Sequence, residues 1–259
     1  MSRFIDKLNR LSRTAPQPIG FKTAQSASTR PRIQLVASLA EDSAERLVDY
    51  VTGADAGLLR ISKRSSGART LRKVSQTLPD IPWGGWLRGG RGEIKQVTRA
   101  GCDFMVFPAP STPLAMLQDD EVGRILEVEA SLAEGLLRAA GELPVDAVLI
   151  ANVQKEGDFL TWQHLMLFRR FADLLTKPLL VTMPSVVTAG ELQALWEAGV
   201  AGVVVEAGAG QPQDRLKELR QVIDGLTLPS PRRREKAEPL LPRISTEGGR
   251  ATAEEEEEE

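Results

Sequence analysis

The sequence predicts an α/β fold of the (β/α)8 TIM-barrel type. First, short apolar runs alternate with amphipathic helical stretches from Ile33 to Leu226. Strands that read as unbroken apolar runs belong in a parallel sheet covered on both faces. Second, the even strands share a lead-in: GADAGLLRI from Gly53, AGCDFMVFP from Ala100, LPVDAVLIA from Leu143 and AGVAGVVVE from Ala198. Such recurrence points to a repeat-built architecture. Third, the first strand runs into Ser38-Leu39-Ala40-Glu41 without a glycine. An open doubly wound sheet would carry a glycine-rich loop there. Eight strands joined by right-handed crossovers close into a barrel instead.

Four strand–helix–strand units are predicted in order. The first is Ile33–Ala37, a helix near Glu41–Val51, then Gly57–Ile61. The second is Trp83–Leu87, a helix near Glu93–Ala100, then Phe104–Phe107. The third is Ile125–Ala130, a helix near Ala133–Gly141, then Ala147–Ala151. The fourth is Pro178–Met183, a helix with Leu192, Leu195 and Trp196 on one face, then Val203–Val205. Further helices fit Ala68–Leu78, Trp162–Leu175 and Asp214–Leu226, with a short one near Leu114–Gln118.

Residues 1–31 read as an N-terminal helix and arm, 32–226 as the barrel, and 227–259 as a disordered charged tail. The tail holds four prolines, an RRREK cluster and six terminal glutamates, and has no apolar periodicity. In MSRFIDKLNRLSR, Phe4, Leu8 and Leu11 share one face, and Arg3, Lys7, Arg10 and Arg13 lie around the other. Such a helix either docks on the barrel and closes its bottom or touches an anionic membrane or partner.

Composition narrows the function classes. A net charge of −2 argues against a general nucleic-acid binder, although residues 1–32 carry +6 and 227–259 carry −3. The lone cysteine, Cys102, excludes an internal disulfide and a multi-Cys metal site. It fits a reducing compartment, and with no h-region or spanning apolar run the expectation is a cytoplasmic protein. Cys102 has no adjacent basic residue and is expected to be inert.

Strand parity sorts the side chains. Outward positions meet helices, so the more uniformly apolar parity is the outer one. Gln34, Val36 and Ser38 then face inward, with Arg60, Glu127, Glu129, Leu180, Thr182, Val204 and Glu206. On the third strand, Trp86 with Arg88 is the inward choice that puts a polar group at the mouth, and Asn152 ends the sixth. Two glutamates at i, i+2 repel each other, so one could serve as general acid or base while Arg60 holds the other ionised. The alternative is an Arg–Glu network that only sets packing. Trp83 and Trp86 either wall a pocket or pack.

Lys63 follows the second strand and opens KRSSGAR, the most cationic loop on the active face. It could cover an anionic ligand. Lys155 after the sixth strand reads as a surface lysine. His164, the lone histidine, lies in an apolar helical stretch and reads as a packing residue, so neither a His-dependent triad nor a His-cluster metal site is available. No metal site is assigned. Mg2+ held by Glu127, Glu129 and Glu206, and flavin mononucleotide, are the cofactors left open.

The stretch 178–210 resembles the closing quarter of the phosphate-binding (β/α)8 barrels, the superfamily of the histidine- and tryptophan-pathway barrels and thiamine-phosphate synthase. The resemblance implies a substrate phosphate held by loops after strands seven and eight. Gly208 and Gly210 match the glycines after strand eight, and Ser185 lies in the strand-seven loop, where the usual glycine pair is replaced by Met183-Pro184-Ser185-Val186. Ser38 stands where the pathway enzymes carry an aspartate or lysine.

The expected function is a lyase, isomerase or synthase acting on a small anionic or phosphorylated molecule at the barrel mouth. Glu127, Glu129 and Arg60 would be catalytic. Ser38, Lys63, Asn152, Thr182 and Glu206 would contact substrate, and Ser185, Gly208 and Gly210 would hold the phosphate. The alternative is a non-catalytic barrel that binds a protein partner through its charged termini.

Overall fold

The computed structural model describes residues 2–12, 32–41, 50–61, 64–88, 91–114, 122–151, 159–208 and 214–226. The strands are β1 (Gln34–Ala40), β2 (Ala56–Arg60), β3 (Trp83–Trp86), β4 (Phe104–Pro108), β5 (Gly123–Val128), β6 (Ala147–Ile150), β7 (Leu179–Met183) and β8 (Val200–Glu206). The described helices are α1 (Arg3–Ser12), α2 (Arg64–Thr77), α3 (Arg91–Arg99), α4 (Glu134–Glu142), α5 (Trp162–Leu174), α6 (Ala189–Glu197) and α7 (Arg215–Gly225). Each strand pairs in parallel with its sequence neighbour, and β8 pairs back onto β1, so the barrel is closed. Closure leaves the sheet without an edge.

Apolar side chains form two layers, as strand parity requires. The outer layer joins strands to helices through Leu35, Leu59, Leu126, Val181 and Val203. The inner layer fills the lumen with Val36, Leu58, Phe104, Ile125, Leu149, Leu180 and Val204. The lumen is thus a packed core. Small residues make room for it: a Cβ on Gly84 would sit 2.3 Å from the Phe104 ring, and one on Gly202 would sit 2.6 Å from Leu180.

The N-terminal helix closes the bottom of the barrel. Phe4 and Leu8 are fully buried in the lumen cluster, with the Phe4 ring 4.7 Å from that of Phe104. Asp103, just before β4, caps the helix: its carboxylate accepts the backbone N–H groups of Arg3 and Phe4 and the Ser2 hydroxyl. A carboxylate at a helix N-terminus meets unpaired N–H groups and the positive end of the dipole. The membrane alternative for this segment is therefore corrected, because Phe4, Ile5 and Leu8 are spent on the barrel. Among the described residues no helix is long and apolar enough to cross a membrane.

A second correction concerns KRSSGAR. Residues from Arg64 onward already belong to α2, so the stretch is not a loop over the mouth. Glu41, at the end of β1, accepts the Ser66 hydroxyl at 3.2 Å, and a Cβ on Gly67 would lie 2.6 Å from the Glu41 carboxylate. The protein's own carboxylate sits at this helix start, where an anion was expected. Most of the helix near Glu41–Val51, most of the short helix near Leu114–Gln118, and the tail 227–259 lie outside the described residues.

Candidate active site

Parallel register assembles the mouth of the barrel. Ser38 on β1 is level with Glu206 on β8, and Arg60 on β2 is level with Trp86 on β3. The inward side chains at this level therefore meet across neighbouring strands. Arg60 donates through Nε to Ser38 Oγ at 3.1 Å and through one terminal nitrogen to Glu206 Oε1 at 3.1 Å. Its guanidinium carbon lies 5.5 Å from the centre of the Trp86 ring, within cation–π range. The Trp86 indole N–H donates to Glu127 Oε2 at 2.7 Å. A continuous polar chain thus runs Glu206–Arg60–Trp86–Glu127, with Ser38 braced beneath Arg60.

Burial grades this chain. Glu127 and Trp86 are half-buried, whereas Arg60 and Glu206 are about half exposed, at 44% and 53%. An ion pair so exposed contributes little to stability. It nevertheless keeps a cation over an aromatic floor at the open end of the barrel. Arg60 was expected to hold one of Glu127 and Glu129 ionised. The structure corrects this: its carboxylate partner is Glu206, because the Trp86 ring stands between Arg60 and Glu127.

The other candidates divide. Thr182 faces the mouth from β7 with its hydroxyl 3.5 Å from the Ile150 carbonyl. Glu129 lies past the end of β5, exposed, and accepts the Ser131 hydroxyl at 3.2 Å. Ser185 is buried in the loop after β7, and its carbonyl accepts the Arg215 Nε at 2.6 Å, which ties this loop to the start of α7. Gly208 follows β8 at φ 147°, a backbone conformation that favours glycine. Lys63, Asn152, Lys155 and Gly210 lie outside the described residues.

Among the described residues no three His, Cys, Asp or Glu side chains group closely enough to hold a metal ion, so Glu127, Glu129 and Glu206 do not form the Mg2+ set considered above. His164 caps rather than simply packs. Thr161 and His164 form a reciprocal capping box at the start of α5, and the imidazole stacks on Phe168 at 6.4 Å. Cys102 is buried on the opposite face, and burial pushes its thiol up to about 12. A cavity of about 410 Å3 opens on that same face, beside Arg3, Trp83, Thr98 and Cys102, away from the polar chain.

Trp86 is the residue whose role the sequence concealed. Its inward parity was legible, but its service as both a cation–π floor for Arg60 and a donor to Glu127 depends on register across three strands. An amphipathic aromatic between an arginine and a glutamate on the same inward level is the signal that could have revealed it.

No protein-family model matches the sequence, and no curated protein matches it. Solved structures do. A mutant of the tryptophan synthase α-subunit from the hyperthermophile Pyrococcus furiosus superposes with a TM-score of 0.59 at 11% identity, over 75% of this chain and 97% of that one. A protein of Aquifex aeolicus superposes with a TM-score of 0.59 at 12% identity, over 84% and 95%. The chain is a TIM barrel. At this identity the similarity carries the fold alone. That fold is the one expected from the sequence.

Proposed function

We propose that this TIM barrel is an enzyme of the lyase or isomerase type that acts on a small anionic, phosphorylated molecule at its C-terminal face. The observation that carries the proposal is the Glu206–Arg60–Trp86–Glu127 chain at the mouth. Arg60 supplies a fixed cation for a substrate anion. Glu127 keeps one carboxylate oxygen on Trp86, which leaves the other to take or deliver a proton. Glu129, two residues on at the rim, is the second candidate for that step. Ser38, Thr182 and Glu206 contact substrate, together with Lys63 and Asn152. Ser185, Gly208 and Gly210 hold the phosphate, a role supported by the backbone of Gly208 and the junction of the strand-seven loop with α7. A cytoplasmic setting suits the single buried thiol.

A thermal-shift screen with inorganic phosphate, sugar phosphates, pyridoxal phosphate and flavin mononucleotide tests this. A ligand at 100 times its Kd stabilises the fold by about 2.7 kcal/mol. The expected result is a shift with one phosphorylated class that Arg60→Ala abolishes. A cooperative melt that none of these ligands moves would overturn the proposal. Two observations favour a second reading, a non-catalytic barrel that binds a partner. The lumen below the mouth is filled, and Arg60 already has a carboxylate partner.

A further inference from the structure

The cavity at the bottom of the barrel, about 410 Å3, is as large as many small-molecule sites. Three helices meet around it. Arg3 opens α1, Ser75 lies in the last turn of α2, and Thr98 lies in the last turn of α3. Ile81 and Val122 supply a smaller apolar part of the wall. Gly101 stands at the edge, exposed, and a Cβ there would meet nothing within 4 Å, so the entrance is clear.

Arg3 and Asp103 are the charged groups among the lining residues, and they are not equivalent. Asp103 is spent on α1: its two oxygens already accept the N–H groups of Arg3 and Phe4 and the Ser2 hydroxyl. Arg3 donates through one terminal nitrogen to the Pro79 carbonyl at 3.0 Å. Its Nε lies 3.9 Å from Asp103, too far for a hydrogen bond. A guanidinium carries five N–H donors, so most of this fork is left for a ligand. The hydroxyls also keep capacity. Ser75 donates to the Arg72 carbonyl at 3.0 Å, which leaves its oxygen to accept. The Thr98 hydroxyl has no hydrogen bond among the described residues. The wall thus suits a molecule with one negative charge and several hydroxyl groups.

We propose that this cavity is a second small-molecule site, for a hydroxylated monocarboxylate of the sugar-acid class. The carboxylate sits on the Arg3 fork, and the hydroxyls bond to Ser75 and Thr98. The site does not depend on the anion reading of Arg60, which lies at the other end of the barrel. Its ligand touches α1 and the ends of α2 and α3 together, so binding also clamps the bottom plug.

Titration of the full chain with gluconate, sorbitol and hexanoate separates the two demands. Sorbitol keeps the hydroxyls without the charge, and hexanoate keeps the charge without the hydroxyls. Gluconate should bind at least about tenfold more tightly than either, the effect of one charge-assisted bond or two neutral ones. Arg3→Gln should weaken gluconate about tenfold and leave sorbitol unchanged. Thr98→Val keeps the side-chain volume, and should weaken gluconate while leaving hexanoate unchanged. In the wild-type protein, gluconate should slow hydrogen exchange along α1. Sorbitol or hexanoate binding as tightly as gluconate would overturn the inference, as would no binding of gluconate. Gluconate binding that is lost in Arg60→Ala and kept in Arg3→Gln would also overturn it, by moving the ligand to the mouth.

Discussion

Trp86 holds Glu127 by a 2.7 Å hydrogen bond from its indole nitrogen, and the two residues lie on β3 and β5 with a strand between them. This bond fixes the carboxylate that we assign to proton transfer. Trp86→Phe keeps the ring under Arg60 and removes only the donor. Stability should fall by about 1 kcal/mol, the usual net value of a hydrogen bond, because partial exposure lets water replace the donor. Urea denaturation reads that loss. If Glu127 is the acid/base group, the pH profile of turnover should shift in the same variant. An unchanged profile would assign the pair to packing.

Asp103 fixes the bottom plug. Replacing it by Ala removes three hydrogen bonds at the start of α1 and should cost about 2 kcal/mol, the upper range for loss of a cap. Phe4→Ala should cost about 3–5 kcal/mol through the cavity left against Phe104. Both variants should also expose α1 to limited proteolysis. A wild-type digestion pattern would mean that the helix docks by other means.

Two glycines should respond in opposite directions. Gly84→Ala drives a methyl into the Phe104 ring and should destabilise by about 1–3 kcal/mol. A Cβ on Gly135 in α4 would meet nothing within 4 Å. Gly135→Ala should therefore stabilise by about 0.5–1 kcal/mol, by limiting the unfolded chain and favouring the helix. Thermal melts of the pair check the sign of each.

Cys102 sets a pH dependence at the alkaline end. Its thiol rises from an ordinary 9.0 to about 12, mainly by burial. Between those values the unfolded chain loses this proton and the folded one keeps it. Stability should therefore fall as pH rises from 9 toward 12, and this residue adds no slope below 9. Cys102→Ala should flatten that part of the curve. At pH 8 a thiol reagent should label the denatured protein at once and the native protein only as it opens.

The barrel was legible because its signals are local. Each strand reads as an apolar run, and the lead-ins at Gly53, Ala100, Leu143 and Ala198 repeat the same turn chemistry. Strand parity also placed Ser38, Arg60, Glu127 and Glu206 in the lumen, because the outward positions had to be apolar. Partner choice was not legible. Whether Arg60 meets Glu127 or Glu206 depends on stagger between strands and on a Trp ring that fills the gap. The start of α2 was misjudged for a similar reason. Arg64-Ser65-Ser66-Gly67 is poor helix sequence by propensity, and its compensation comes from Glu41, which is distant in the chain. Likewise, Asp103 caps a helix about a hundred positions earlier, beyond the reach of any local motif.

That separation governs the order in which the protein can be built. The helix leaves the ribosome before any strand, but the groups that receive it, Asp103 and Phe104, emerge only after three strands have passed, and Gly123 follows on β5. Until then Phe4 and Leu8 have only Val36, Ala56 and Leu58 of the lumen cluster to cover them, and β1 has no β8 to pair with. Both ends of the ring are thus late contacts, and the nascent chain carries a sticky leading segment through most of its synthesis. Deleting the first twelve residues should ease that hazard during synthesis while leaving the finished ring open at its base.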